Sequence, residues 1–213
     1  MIKYMRKQKE LQGLKKEQTF LFMEEIIMSD CMCTYTGLLV NPMNIQDGDI
    51  RTEDIAHALS LLCRGGGHMK QLYTVGQHCL NCANEAKARG WNTRVIFACL
   101  LHDASEAYIS DIIRPVKQHL KTYITIEETI LRTIYQHYGL GTLSQEEQNQ
   151  VKEIDNALLN YEMPRLMNLP YSLPEPELAS TPDLTLKQPQ ETEQQYLEAV
   201  KKLQKEIISI LNL

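Results

Sequence analysis

Val95, Ile96, Ala98, Cys99, Leu100 and Leu101 are apolar on nearly every side of a helix, and they run directly into His102-Asp103. A helix without a polar face has to be surrounded by other elements, which places this one in the middle of a bundle. Its end then carries two good metal-ligand types where a buried core meets a cleft. That combination constrains the chain more than any other segment.

The flanking segments supply the rest of a bundle. Thr52, with Glu53 and Asp54 in the first turn, starts a helix through Ile55, Ala58, Leu59 and Leu62 that stops at Gly65-Gly66-Gly67. Leu72, Val75, Cys79, Cys82, Ala83 and Ala86 recur at helical spacing over residues 71–89, and Gly90 ends the run. Thr93 is the expected cap of the central helix. Pro115 suits the first turn of a short helix, and longer ones are expected at about 122–138 and 144–167. Six of the eight prolines fall within 164–189, predicting an irregular loop before a final amphipathic helix through Val200, Leu203, Ile207, Ile208 and Leu211. Thr34 to Pro42 has the β-branched and turn residues of a short hairpin. The fold expected is all-α, with that hairpin on the N-terminal side. Three parts follow: a charged, helix-prone leader at 1–32, a main domain at 33–167, and a Pro-rich loop with a C-terminal helix at 168–213 packing on the same domain.

Composition narrows the function classes. At 213 residues, 43% hydrophobic and 23% charged, the chain has the make-up of one soluble domain with a sizeable core. A net charge of −5 disfavours a dedicated nucleic-acid-polymer surface, which rewards clustered Lys and Arg. A small phosphorylated ligand is still compatible, because a bound cation supplies positive charge locally. The six cysteines include a C-x-x-C at Cys79 and Cys82 and a C-x-C at Cys31 and Cys33. No secretory signal is visible and no stretch approaches the ~20 apolar residues of a membrane span. The expectation is a reduced, cytoplasmic protein with no membrane partner, its thiols buried rather than zinc-binding.

Four side chains stand out as metal ligands: His78, His102, Asp103 and Asp155. Asp155 falls inside the apolar stripe Val151, Ile154, Leu158 and Leu159, where an ionised carboxylate is costly without a cation or several hydrogen bonds. His78 is flanked by apolar turns. Singly, a core histidine bonded to a carbonyl, or an aspartate paired with arginine, explains each. Two imidazoles and two carboxylates from three helices suit a divalent cation and leave positions for water and substrate. Adjacent helical residues diverge by ~100°, so His102 and Asp103 can share an ion only near a helix end. Glu106 lies one turn past His102, on its face, and is placed to orient water and move its proton. Asp111 follows at the helix break, where an aspartate is often a cap. Arg64 and His68 flank the glycine corner, and Arg114 and Lys117 sit at a helix start; these are the cations available to a phosphate.

The pattern His78…His102-Asp103…Asp155 resembles the H…HD…D signature of the HD-domain metal-dependent phosphohydrolases. The likeness extends through Thr52-Glu53-Asp54-Ile55-Ala56-His57-Ala58-Leu59-Ser60, Cys63-Arg64, Gly67-His68, Tyr73-Thr74-Val75-Gly76-Gln77-His78 and Ala104-Ser105-Glu106-Ala107-Tyr108. Within that family the set is similar to the bacterial 5′-deoxynucleotidase branch and to phage-encoded deoxynucleotide hydrolases. It covers about residues 33–167. The resemblance implies a helical bundle around one divalent ion (manganese, cobalt, zinc, iron or magnesium) and hydrolysis of a 5′-phosphate ester of a small nucleotide. Deoxynucleoside monophosphates come first and deoxynucleoside triphosphates second. His78, His102, Asp103 and Asp155 take the ligand places, Glu106 and Asp111 those of two catalytic acids, and Arg64 that of a phosphate-contacting arginine. His68 and Lys117 are weaker substrate contacts. Two departures from the family pattern are Gly65-Gly66, where a bulky residue usually lies near the sugar, and Gly76-Gln77 before the first ligand. A catalytically silent binding module of the same fold is the rival from another class. Association through the C-terminal helix into a homo-oligomer is compatible with either.

Overall fold

The computed structural model describes residues 30–211, with the side chain of Leu211 excepted; the leader at 1–32 falls almost wholly outside the described residues. The first strands among the described residues form a two-strand antiparallel hairpin, β1 (Met32–Cys33) and β2 (Leu39–Val40), in the register Met32 to Val40 and Cys33 to Leu39. Met32 therefore belongs to the hairpin rather than to the leader. Helices follow: α1 (Thr52–Leu61), α2 (Val75–Ala88), α3 (Thr93–Leu101), α4 (Glu106–Ile109), α5 (Arg114–Lys117), α6 (Lys121–His137), α7 (Gln145–Leu166) and α8 (Pro189–Leu211). The protein is an all-α bundle with a short hairpin, as the sequence predicts. Among the described residues no helix is long and apolar enough to cross a membrane.

α3 sits at the centre. Val95, Phe97, Ala98, Cys99, Leu100 and Leu101 are all fully buried, and α2, α6, α7 and α8 pack around it. Each fully buried large apolar side chain contributes roughly 1.5–3 kcal/mol relative to exposure, so this one helix anchors much of the core. α8 also lies along α1, and Tyr196 ties α8 to α3 by donating from its hydroxyl to the Leu100 carbonyl at 2.9 Å.

Several boundaries differ from the pattern-based ones. α2 begins at Val75, not near residue 71, because the Thr74 hydroxyl accepts from Gln77 N and caps the helix. Residues before it are extended, and Thr74 bridges Cys63. The cap of α3 is Asn92 rather than Thr93; its side chain accepts from Val95 N at 3.0 Å. α7 keeps to the expected bounds: it starts on a capping box formed by Ser144 and Glu147 and runs through Pro164 to Leu166, so the irregular segment begins at residue 167.

That segment is strapped to α2. Glu85 is buried and accepts from Ala179 N (2.9 Å), Ser180 N (2.8 Å), the Ser180 hydroxyl (2.6 Å) and Arg89 Nε (2.7 Å). Asn81 accepts from Asp183 N at 3.0 Å, and the Gln77 amide donates to the Asp183 and Thr185 carbonyls. Burial raises the Glu85 carboxyl, but the hydrogen bonds from Ser180, Ala179 and Arg89 outweigh it and leave its pKa below the ordinary carboxylate range. A group depressed in this way stabilises the fold fully at neutral pH and loses its contribution as pH falls through the folded value. Glu85→Gln should cost roughly 2–4 kcal/mol in urea unfolding at pH 7. The gap from wild type should narrow under acid, and the 167–188 segment should be cut sooner by protease. A pH-independent loss below 0.5 kcal/mol would show that the strap does not depend on this carboxylate.

Candidate metal centre

Three helices bring the expected ligands together. α2 carries His78 inward, fully buried between Val75 and Cys82. α3 ends at Leu101, with His102 as its C-cap, and the turn from Leu101 through Glu106 swings Asp103 toward the same point. The ~100° divergence of neighbouring helical residues is thereby removed, because Asp103 no longer lies on the helix. α7 supplies Asp155 from the edge of its apolar stripe, beside buried Ile154 and Leu158.

His78 Nε2 is 3.3 Å from Asp155 Oδ1, His102 Nε2 is 3.3 Å from Asp103 Oδ2, and His102 Nε2 is 3.9 Å from Asp155 Oδ1. The opposite ring nitrogens are committed. His102 Nδ1 donates to the Cys99 carbonyl at 2.8 Å, and His78 Nδ1 pairs with Glu162 Oε1 at 2.7 Å. In the neutral imidazoles the Nε2 lone pairs then point at carboxylate oxygens, an arrangement that is repulsive without positive charge between them. His102 Nε2 has no hydrogen-bond partner among the described residues. Ligands at ~2.0–2.2 Å from one ion sit ~3–3.5 Å from each other, which the His78–Asp155 and His102–Asp103 pairs match while His102–Asp155 is wider. The donor set fits a divalent cation. Without an ion, protons answer the same demand for positive charge: burial depresses both imidazoles, yet Asp103 for His102, and Glu162 with Asp155 for His78, hold them above the ordinary histidine range. Burial is likewise overridden for Asp103, which His102 and Arg64 hold far below the usual carboxylate range, and for Asp155, lowered to about 2 chiefly by His78 and His102.

Thiols adjoin the same point. His78, Cys82 and His102 each place one donor atom within 4.8 Å of the others, as do Cys79, His102 and Asp103.

A supporting layer was not predicted from the sequence. Glu162, fully buried on α7, orients His78 and also accepts from the Tyr73 hydroxyl at 2.7 Å. Its other oxygen lies 3.6 Å from Arg64 Nε, while Arg64 Nη1 reaches Asp103 Oδ2 at 3.2 Å. Burial opposes the Arg64 charge, but Glu162, Asp103 and Asp155 outweigh it and raise its pKa. Glu162 follows Asp155 by two helical turns and shares its face, and that spacing was the available signal. Arg114, at the start of α5, clamps Asp155 Oδ2 at 3.2 Å and the Asn156 amide oxygen at 3.0 Å.

The ligands open onto a cleft of two lobes, about 770 and 740 Å³, that share Asp103, Asp155, Arg114, Lys117 and Gln118. Arg64, His68, Glu106 and Asp111 line the second lobe. Glu106 is buried, with Oε1 3.8 Å from Lys117 Nζ and Oε2 without a hydrogen-bond partner among the described residues. Burial, then Asp103 and Asp111, push its pKa well above the ordinary range. Asp111 is half-buried and also raised, by burial first. Lys117 is held mainly by Glu127 at 2.5 Å. His68 is exposed at the rim. Gly65 and Gly66 adopt φ of 63° and 62°, a left-handed backbone that favours glycine at this corner. Ser110 takes φ 67° and ψ 163°, a region nearly reserved for glycine, at the bend between Glu106 and Asp111.

No family model matches the chain. It is similar to two bacterial proteins. Uncharacterized protein YfdR of Escherichia coli K12 is 37% identical over 107 residues, 50% of this chain and 57% of that protein. Uncharacterized protein RCAP_rcc00048 of Rhodobacter capsulatus is 36% identical over 98 residues, 43% of this chain and 50% of that one. The chain spans about half the length of the curated relatives it matches.

Removing the partner of His78 Nδ1 should loosen the ligand without deleting it. Glu162→Gln is expected to weaken divalent-ion binding by roughly 10–100-fold, measured by calorimetry on protein stripped of metal. Unchanged affinity would remove Glu162 from the supporting role.

Proposed function

We propose that the chain is a metal-dependent phosphohydrolase of the HD type, cleaving a 5′-phosphate ester of small nucleotides, with deoxynucleoside monophosphates as the first class. The observation that carries this reading is the meeting of two imidazole lone pairs and two carboxylates at the mouth of a cleft. Cations and a buried acid stand beside them. His78, His102, Asp103 and Asp155 would hold the ion; manganese, cobalt, zinc, iron and magnesium all remain candidates for that donor set. When bound, such an ion lowers the pKa of water and neutralises phosphoryl charge.

The chain's own residues supply the remainder. Arg64, fixed between Asp103 and Glu162, directs its guanidinium toward the position a phosphate oxygen would take. Lys117 and Arg114 add positive charge on the opposite wall, and His68 offers a further contact from the rim. Glu106 Oε2, buried and unpartnered, is placed to accept a proton from water entering the cleft. Its raised pKa suits a group that takes up a proton and returns it to the leaving oxygen. Asp111, on the same lobe, is assigned to the sugar or the leaving group. Either lobe is large enough for a nucleoside, which supports a small-molecule substrate over a polymer. A silent binding module has no use for the buried, hydrogen-bond-free oxygen of Glu106, and that favours the enzyme.

Two variants separate the roles. Asp103→Ala should lose bound metal, measured by elemental analysis, together with phosphate release. Full activity in a metal-free variant would refute the scheme. Glu106→Gln should keep its metal while kcat falls roughly 10²–10⁴-fold in a screen of ribo- and deoxynucleoside mono-, di- and triphosphates. Wild-type kinetics would strip Glu106 of the proton-transfer role, and no phosphate release by wild type from any of them would point to a binding module.

A further inference from the structure

Cys82 lies one turn beyond His78 on α2, and its Sγ is 3.4 Å from His78 Nε2, the nitrogen that faces Asp155. It is buried, and among the described residues its thiol makes hydrogen-bond contacts only with the His78 ring. Its side chain packs in an apolar cluster with Ala86 and Val95, while its sulfur also joins His78 and His102 in a set of donor atoms all within 4.8 Å of one another. A second observation concerns His102. Its side chain is about nine-tenths buried, its Nε2 lacks any hydrogen bond among the described residues, and His102 is a member of the same set.

We propose that the centre is a mixed nitrogen, oxygen and sulfur site in which Cys82, beside His78 and His102, joins the histidine–aspartate ligands on the ion, so that it selects a thiophilic divalent metal such as zinc, iron(II) or cobalt(II). This rests on the metal-centre reading above and specifies it. On binding, the Cys82 S–H bond breaks, its proton passes to solvent and the sulfur lone pair forms the bond to the ion. The additional negative ligand is supported by charge already in place. Arg64 contacts Asp103 and Glu162, and Arg114 contacts Asp155, so two guanidinium groups balance the surplus carboxylate and thiolate. Soft sulfur favours zinc, iron and cobalt over magnesium and manganese, whereas an all-nitrogen-and-oxygen cage does not discriminate in that way.

The test uses the full chain stripped by chelation and reloaded with cobalt(II), read by absorption rather than turnover. Wild type and Cys79→Ser should show an intense near-ultraviolet sulfur-to-cobalt charge-transfer band. Cys82→Ser should lose that band while keeping weak visible cobalt bands, and should bind zinc more weakly by roughly tenfold or more. Visible bands without charge transfer in wild type, or a charge-transfer band surviving in Cys82→Ser, would overturn the sulfur ligand and leave the histidine–aspartate cage standing. Loss of the band in Cys79→Ser but not in Cys82→Ser would also overturn it. Absence of any cobalt binding by wild type would overturn both the sulfur ligand and the cage. If Cys82→Ser fails to fold, the wild-type spectrum decides.

Discussion

Two imidazole lone pairs held against two carboxylates, at the centre of a helical bundle, need positive charge between them. Everything nearby is arranged around that requirement. Each imidazole is fixed through its far nitrogen, His102 to the Cys99 carbonyl of its own helix and His78 to Glu162 of α7. Neither ring is free to turn its N–H toward the carboxylates. A side-chain network this deeply buried is costly when incompletely satisfied, and the orphaned Nε2 of His102 marks where satisfaction must come from outside the chain.

The same network reaches the surface. Glu162 receives the Tyr73 hydroxyl, Asn81 donates to Tyr73 and to the Asp183 carbonyl, and Asp183 returns a bond to Asn81. The proline-rich segment after α7 is therefore tied, through the side chains of Asn81, Tyr73 and Glu162, to His78, a proposed metal ligand. Glu85 and Gln77 fasten it further along α2. A segment that reads as a loose connection acts as an outer strap that holds α2, and with it His78, against α7. α3 provides the complementary rigidity, since Val95 and the run from Phe97 to Leu101 are fully buried.

The cleft divides around α5. Arg114 and Lys117 form a shared wall between the lobes, and each is engaged by carboxylates, Asp155 for the first and Glu127 for the second. An anion entering either lobe would compete with these carboxylates for the two cations, and so with the clamp on Asp155. The bend at Ser110 that delivers Asp111 and α5 to this wall stores backbone strain, as is common where chain direction is set by a site.

The all-α architecture, the central position of α3 and the four ligand candidates were legible in the sequence. Period-3.6 apolar patterns and an aspartate inside an apolar stripe are local signals, and each reflects a cost that a short segment carries wherever it folds. The cap at Asn92 and the late start of α2 were misjudged by a few residues, because neighbouring residues offer competing caps and tertiary contacts choose between them. Glu162, the sulfur of Cys82, the Arg114 clamp and the strap on Glu85 belong to another order. Their partners lie 84 residues away for Glu162 and 41 for Arg114. Sequence alone determined which elements form and which face each buries, because helical periodicity is written over a dozen consecutive residues. Only the tertiary structure decided which charges meet, because a hydrogen bond between distant helices leaves no periodic trace in the chain.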